Sequence, residues 1–226
     1  MAIPPLHRWD LSPDEARSLQ RELADRVDTG SPLGPCRLIA AADVSYTRGD
    51  DRLFAAVVVI DAETSELVER VGLVERARYP YVPGLLSFRE APPVLEAFGR
   101  LKHRPDVLLC DGQGIAHPRR LGIASHVGLW LDLPTVGCAK SLLCGSYDEP
   151  GPGRGDRSPL IHRGEVVGTV LRTRDRISPV FVSPGHRCDA EGAVRIVMET
   201  TGNYRLCTPV RMAHAFVNEL RRGAGE

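Results

Sequence analysis

The sequence predicts a single α/β domain built on a mixed β-sheet, and three observations support that fold class. Three strand-like runs follow one another with short connections, which is typical of an antiparallel meander. Helix-like and strand-like segments then alternate, which favours parallel strands joined through helices. The chain has 226 residues, 42% hydrophobic and 26% charged, which is enough to bury one large core.

The N-terminal segment 1–35 is predicted to be a helix followed by a linker. Ser12 can cap the helix, Pro13 suits its first position, and Glu15 can reach back to complete a capping box. We expect Gly30 to end it.

The predicted meander comprises residues 37–46, 53–60 and 67–74, with a turn through Arg48 between the first two strands. A helix opened by Pro92 and Pro93 is expected next. This prediction leaves Glu90 just outside the helix, because a residue before proline is biased away from the helical region.

The second half of the chain continues the alternation. Residues 107–110 are wholly apolar, as expected of a buried central strand. The remaining predicted elements are a helix at 122–131, a strand at 134–139, a loop at 147–157, edge strands at 165–172 and 180–182, helices at 189–201 and 208–220, and a flexible tail at 221–226. We therefore expect residues 1–226 to form one domain, with helices on both faces of the sheet.

Composition excludes several classes of protein. The net charge is zero and the pI about 7.1, which argues against a strongly basic binding protein. The six cysteines form no C-x-x-C pair, which argues against a zinc site. No signal peptide or bilayer-spanning run is visible, so we expect a soluble cytoplasmic protein with no membrane partner.

Acidic residues at strand ends are the first indication of chemistry. Asp43 lies late in the first strand, and Asp111 directly follows the strand 107–110. If these strands are neighbours, the two carboxylates repel unless a cation lies between them. Glu90 offers a third carboxylate, and such a set suits Mg²⁺ and phosphoryl transfer. Taken singly, each acid is more often a turn or cap residue.

Three other features have competing interpretations. The segment Asp111-Gly112-Gln113-Gly114 is weakly similar to a dinucleotide-binding turn, but His117 stands where the third glycine belongs. His214 lies beside an apolar helical stripe, where a histidine is more often a semi-buried structural residue than a ligand. The prolines around Tyr81 and Val82 stiffen a loop that is either well packed or a wedge for a base stack.

Longer motifs resemble one known family. They are ADV at 42–44, PYVPGLLSFRE at 80–90, DGQGIAHPRRLGIASHVGL at 111–129, PTVGCAKSLLCG at 134–145 and GHR at 185–187. In this order they resemble endonuclease V, a DNA repair nuclease that acts on deoxyinosine. The resemblance covers the chain from about Leu38 to His214 and implies a ribonuclease H-like fold.

The resemblance also implies roles for individual residues. It implies a catalytic set that holds Mg²⁺, or Mn²⁺ in its place: Asp43, Glu90, Asp111 and His214, with Lys140 stabilising phosphate charge. It implies a strand-parting wedge, formed by Tyr81, Val82 and Pro83. It implies a pocket for a flipped base, formed by Gly84, Leu86, Gly112, Gly114 and Ile123. We add phosphate contacts from His117, Arg119 and Arg120, although the two arginines could equally be solvated surface residues.

Three positions depart from the family pattern. Gln113 replaces a frequent histidine between the paired glycines, and we expect activity to survive because the glycine backbone makes the close approach. Val82 replaces a more usual isoleucine, which should be a mild change. Ser141 replaces a frequent second basic residue, which should weaken phosphate contact slightly.

The implied function is Mg²⁺-assisted nicking of damaged DNA by a monomer. The expected cut is at the second phosphodiester bond 3′ to deoxyinosine, leaving 3′-hydroxyl and 5′-phosphate ends after base flipping. The alternatives are an inosine-specific ribonuclease, with RNA as the partner, a structure-specific nuclease of the same fold, or an inactive nucleic-acid binder.

Overall fold

A computed structural model describes residues 3–47 and 49–224. Within these residues the strands are β1 (Leu38–Tyr46), β2 (Arg52–Asp61), β3 (Leu67–Arg76), β4 (Val107–Cys110), β5 (Thr135–Ala139), β6 (Arg157–His162), β7 (Glu165–Leu171) and β8 (Val180–His186). The helices are α1 (Pro13–Ala24), α2 (Leu86–Gly99), α3 (Ile123–Leu131), α4 (Ala190–Glu199) and α5 (Thr208–Gly223). Among the described residues, no helix has the length and apolar character needed to cross a bilayer.

All eight strands form one mixed sheet in the order β3-β2-β1-β4-β5-β8-β7-β6. The β1-β2-β3 meander is antiparallel, and β4 and β5 then run parallel to β1. The predicted mixed sheet is therefore confirmed. Its other half, from β8 to β6, is antiparallel again.

Strand periodicity divides the core into two layers. Ile39 and Ala41 of β1 belong to the layer that packs against α4 and α5. Ala40 and Ala42, on the opposite face, pack against α2 and α3. Because successive side chains of a strand point to opposite faces, both faces of this central strand are apolar and both are covered by helices.

The α1 helix begins as predicted but ends early. Ser12 accepts a hydrogen bond from the Glu15 backbone N–H, and Glu15 caps the Ser12 N–H in return. The helix ends at Ala24, six residues before Gly30. The rest of segment 1–35 packs on the body of the protein, since Trp9 stacks against Trp130 of α3.

The predicted start of α2 is wrong. The helix begins at Leu86, so Pro92 and Pro93 lie inside it and Glu90 is helical. Each proline removes one backbone hydrogen bond. The helix continues through them because its other residues are anchored: Phe88, Ala91 and Val94 are all buried.

Two more predictions need correction. Strands β7 and β8 are internal, and the edge strand at that side of the sheet is β6, which was missed because its sequence follows a Gly/Pro-rich loop. The start of the predicted tail, Arg221 to Gly223, is the last turn of α5. The predicted turn residue Arg48 and the last two tail residues, 225 and 226, lie outside the described residues.

Candidate active site

Strands β1, β4 and β5 are parallel, so their carboxyl ends lie side by side at the same end of the sheet. Ligands of such sheets bind at this end. Ala42 of β1 is paired with Cys110 of β4, and the Asp111 N–H donates to the Ala42 carbonyl over 3.1 Å. This register places Asp43 beside Asp111. Lys140, which follows β5, reaches the same point, with Nζ 2.5 Å from Asp111 Oδ2.

Helix α5 adds His214 to the two carboxylates. Its Nδ1 lies 2.7 Å from Asp43 Oδ2 and donates to that carboxylate. Buried Val210, Ala213 and Val217 hold the helix on the sheet. One ligand atom each from Asp43, Asp111 and His214 lies within 4.8 Å of the others.

A second residue on α5 fixes the imidazole of His214. The Asn218 side-chain amide donates to the His214 carbonyl over 2.8 Å and lies 3.2 Å from His214 Nε2. Sequence reasoning missed Asn218. Its spacing of four residues from His214 was the available signal, because residues four apart are neighbours on a helix.

Glu90 approaches this cluster from the α2 layer and is not part of the tight group of three. It lines a small cleft together with Asp43 and Asp111. Burial, together with the nearby Asp43 carboxylate, raises the pKa of Glu90 to about 8 against the opposing charge of Arg89.

The donor set fits a divalent cation. Burial also raises the pKa of Asp43, as does the neighbouring Asp111 carboxylate, while the His214 hydrogen bond lowers it. Carboxylates that are costly to ionise together are stabilised by a cation between them. Asp43 and Asp111 would hold the ion, with Glu90 and His214 nearby.

A pocket of about 390 Å³ opens beside the acidic cluster. This volume lies in the range of about 300–1,000 Å³ that is common for small-molecule sites. Its wall comes from segments 81–90, 111–123 and 139–143. Glu90 and Asp111 line both the pocket and the acidic cleft, so the two sites are continuous.

The structure brings most of the predicted pocket and wedge residues to this wall. They are Tyr81, Val82, Pro83, Gly84, Leu86, Gly112 and Ile123. Gly114 does not line the pocket. A Cβ there would lie 2.0 Å from the Pro184 carbonyl oxygen, so this glycine allows the loop to pack against β8.

The pocket also contains residues that sequence reasoning did not assign. Ser87 and Leu121 lie in its wall, and Leu142 and Leu143 are exposed beside it. Two adjacent leucines in a loop after a strand were a usable signal, since exposed apolar pairs mark contact surfaces. Gln113, a departure from the family pattern, donates through Nε2 to the Ser141 carbonyl and ties these two loops together.

The three predicted phosphate contacts are engaged within the protein. Arg119 donates to Gln20 and to the Gly84 carbonyl, and Arg120 pairs with Glu165. His117 is buried in the pocket wall, where burial and the positive charge of Arg119 together lower its pKa to about 4. In this structure the arginines brace the pocket loop and the sheet edge.

Comparison with known proteins identifies the family. The family model described as Endonuclease V matches residues 20–215. An endonuclease V from Myxococcus xanthus is 49% identical over 228 residues, covering 100% of this chain and 97% of that protein. This chain belongs to the endonuclease V family.

Solved structures of the family share this fold. The endonuclease V of Streptomyces avermitilis matches with a TM-score of 0.92 and 40% identity, covering 99% of this chain and 98% of that one. The endonuclease V of Ciona intestinalis matches with a TM-score of 0.82 and 27% identity, over 93% and 98% of the two chains. That protein was solved in complex with a 24mer DNA containing an inosine followed by a ribo-adenosine.

Proposed function

We propose that this protein nicks DNA at the second phosphodiester bond on the 3′ side of deoxyinosine, leaving 3′-hydroxyl and 5′-phosphate ends. The observation that carries the proposal is the shared wall of the pocket and the acidic cluster at Glu90 and Asp111. Such a wall suits an enzyme that holds a base in the pocket while it hydrolyses a nearby phosphodiester. The DNA-bound Ciona intestinalis relative supports the substrate class.

The site residues take distinct parts in this reaction. A bound Mg²⁺, or Mn²⁺ in its place, supplies Lewis-acid charge for phosphate hydrolysis. Asp43 and Asp111 hold it, and His214 orients Asp43 through its 2.7 Å hydrogen bond. Lys140 stabilises the charge that develops on the phosphate, a role supported by its ammonium group lying 2.5 Å from Asp111.

Base recognition precedes cleavage in this proposal. Hypoxanthine pairs poorly, so its extrusion from the duplex costs less than that of a normal base. Tyr81, with 59% of its surface exposed, occupies the pocket mouth on the proline-framed loop and fills the space that the base leaves. The backbone at Gly84 and Gly112 allows a planar base to approach closely.

A cleavage assay tests the proposal directly. A duplex with one deoxyinosine is incubated with Mg²⁺ and either wild type, Asp43→Ala or Asp111→Ala. We expect a single nick from wild type and none from either variant. An intact strand with wild type, or equal nicking by a variant, would contradict the proposal.

A thermal-shift measurement tests the metal site without activity. A ligand that binds only the folded state stabilises it by about 2.7 kcal/mol at 100 times its Kd. We expect Mn²⁺ to raise the Tm of wild type and to leave that of Asp43→Ala unchanged. The matched control is Asp14→Ala, an acid on the exposed face of α1.

Cleavage next to inosine in RNA is the second candidate. The inosine in the Ciona intestinalis complex is followed by a ribonucleotide, which favours testing this alternative. The same assay with a matched RNA strand separates the two, because an inosine-specific ribonuclease nicks the RNA faster than the DNA.

A further inference from the structure

A chain of hydrogen bonds links the N-terminal segment to the pocket wall. His7 Nδ1 lies 2.7 Å from the Arg8 carbonyl oxygen, and His7 Nε2 lies 2.7 Å from His126 Nε2. His126 Nδ1 lies 3.0 Å from the Ser87 hydroxyl. Ser87 lines the pocket, so the chain ends at the proposed base site.

The partners of His7 fix where its proton lies. A carbonyl oxygen can only accept, so Nδ1 carries the hydrogen that is donated to Arg8. The Trp130 indole can only donate, and its Nε1 lies 3.1 Å from His7 Nε2. His7 is therefore neutral and its Nε2 is an acceptor.

The same reasoning then determines which atoms of His126 and Ser87 donate and which accept. Because His7 Nε2 is an acceptor, His126 Nε2 must carry a hydrogen and donate it. Burial lowers the pKa of His126 well below its usual value, so the ring is neutral and Nδ1 is a bare acceptor. The Ser87 hydroxyl must donate its single proton to that nitrogen.

Aromatic packing holds the two imidazoles in place. The Trp9 ring lies 4.5 Å from that of His7 and 5.3 Å from that of His126, and the Phe88 ring lies 4.9 Å from His126. His126 is fully buried. Water is therefore excluded from the His126 ring, and hydrogen bonds in such a low-dielectric site are strengthened.

We propose that Ser87 is a specificity-determining residue, whose hydroxyl oxygen offers the base in the pocket a lone pair and no proton. This proposal rests on the proposed function and names the chemical group that is read. Hypoxanthine carries a hydrogen on N1, whereas adenine has a lone pair there. Ser87 therefore accepts from the imide N–H of the deaminated base and rejects the normal one, which leaves both partners without a proton to share.

Histidine NMR tests the chain of hydrogen bonds from His7 through His126 to Ser87, called the relay below, independently of activity. Long-range ¹H–¹⁵N correlation spectra distinguish the two neutral tautomers, and assignment comes from His7→Leu and His126→Phe. We expect the Nδ1–H form for His7 and the Nε2–H form for His126 in wild type. The Nδ1–H form at His126 would overturn the proposal, since Ser87 would then keep its proton.

Matched substrates test the reading of the base. One duplex carries deoxyinosine, and the other carries deoxynebularine, a purine with an unprotonated N1 and no group at C6. We expect Ser87→Ala to lower kcat/KM on deoxyinosine about ten-fold, which corresponds to one lost hydrogen bond, and not to lower it on deoxynebularine, whose N1 lone pair gains nothing from the hydroxyl. An equal loss on both substrates would show a merely structural role and overturn the proposal.

The neighbouring Ser125→Ala is the matched control. Its hydroxyl is buried, has no hydrogen-bond partner among the described residues and does not line the pocket. We expect it to leave both rates unchanged.

A His7 variant tests the direction in which hydrogen bonds are donated along the relay. His7→Leu removes the acceptor opposite His126, so His126 can place its hydrogen on Nδ1 and Ser87 can turn its proton to the pocket. We expect the preference for deoxyinosine over deoxynebularine to fall, together with a change of the His126 tautomer. A tautomer change with an unaltered preference would overturn the proposal. A wild type that nicks neither duplex would contradict the proposed function itself, while the NMR result would still decide the relay.

Discussion

Single residues at this site have two structural tasks at once. Asp111 lines the base-sized pocket, lies within the acidic cluster and forms an ion pair with Lys140 over 2.5 Å. Glu90 likewise borders both cavities. Under the proposed function, a change at either residue therefore affects recognition and hydrolysis together, whereas the glycines beside Asp111 allow the two to be separated.

The paired glycines should respond differently to alanine. Among the described residues, a Cβ at Gly112 meets only Ile123 Cγ2, at 2.7 Å, which narrows the pocket. A Cβ at Gly114 meets the backbone of β8 at 2.0 Å, and this backbone cannot move aside without disrupting the strand. We expect Gly112→Ala to keep its Tm and lose deoxyinosine binding, and Gly114→Ala to lose about 1–3 kcal/mol of unfolding free energy. Circular-dichroism melts check both, and equal melts for the two variants would contradict the distinction.

The exposed ring of Tyr81 should affect the discrimination between deoxyinosine and undamaged duplex but not metal binding. Loss of one stacking ring costs about 1–3 kcal/mol, so we expect Tyr81→Ala to reduce the preference for deoxyinosine over undamaged duplex about ten-fold or more. The Mn²⁺-induced rise in Tm should persist. Tyr204→Ala is the control, because Tyr204 is similarly exposed but outside the pocket. An unchanged preference in the Tyr81 variant would remove the wedge from the proposal.

Among the elements, α2 is the one whose sequence and structure disagree most. Its local sequence favours a break at Pro92, yet the helix passes through and positions both Glu90 and Ser87. The N-terminal turn is fixed by buried Leu85 and Phe88, which pack against α1 and Tyr79. Tertiary packing therefore outweighs the local preference of the prolines.

This disagreement predicts a stabilising substitution. Pro92 is only partly buried, and an alanine there could donate a hydrogen bond to the Phe88 carbonyl. We expect Pro92→Ala to raise the free energy of unfolding by about 1–2 kcal/mol, the restored helical bond being partly offset by greater entropy of the unfolded chain. Denaturant unfolding measures this free energy. A variant less stable than wild type would show that packing of the Pro92 ring contributes more than the missing hydrogen bond costs.

At the scale of the whole molecule, neutral buried histidines set the pH dependence of stability. Burial lowers the pKa of His117 to about 4, and it also lowers the pKa values of His7 and His126. Between pH 4 and the unfolded value of about 6.5, the unfolded chain binds more protons than the folded one. The contribution of these rings to stability is therefore complete above pH 6.5 and is lost as the pH falls toward 4, while Glu90, whose pKa is raised to about 8, acts in the opposite direction.

A series of melts tests that sign. We expect the Tm of wild type to fall between pH 7 and pH 5, and the fall to be smaller in His117→Asn, which has no imidazole to protonate. His103→Asn, at an exposed position on the surface, serves as the control. An equal fall in wild type and in His117→Asn would contradict the assignment of the His117 ring as neutral.

The sequence by itself determined the mixed sheet and the adjacency of Asp43 and Asp111. Apolar periodicity and short connections are local signals, and parallel pairing of β1 with β4 then brings the two strand ends together. The carboxyl ends of such strands share one edge, so these acids were predictable without coordinates. The motifs of the endonuclease V family supplied the remaining site residues.

Only the tertiary structure decided how those residues work. It placed Glu90 inside a helix, moved Gly114 out of the pocket wall and set Lys140 against Asp111. The relay from His7 to Ser87 joins rings 119 positions apart, and no periodicity encodes such a contact. The physical reason is burial: the direction of each proton depends on which partners the folded core places around each ring, and those partners come from distant parts of the chain.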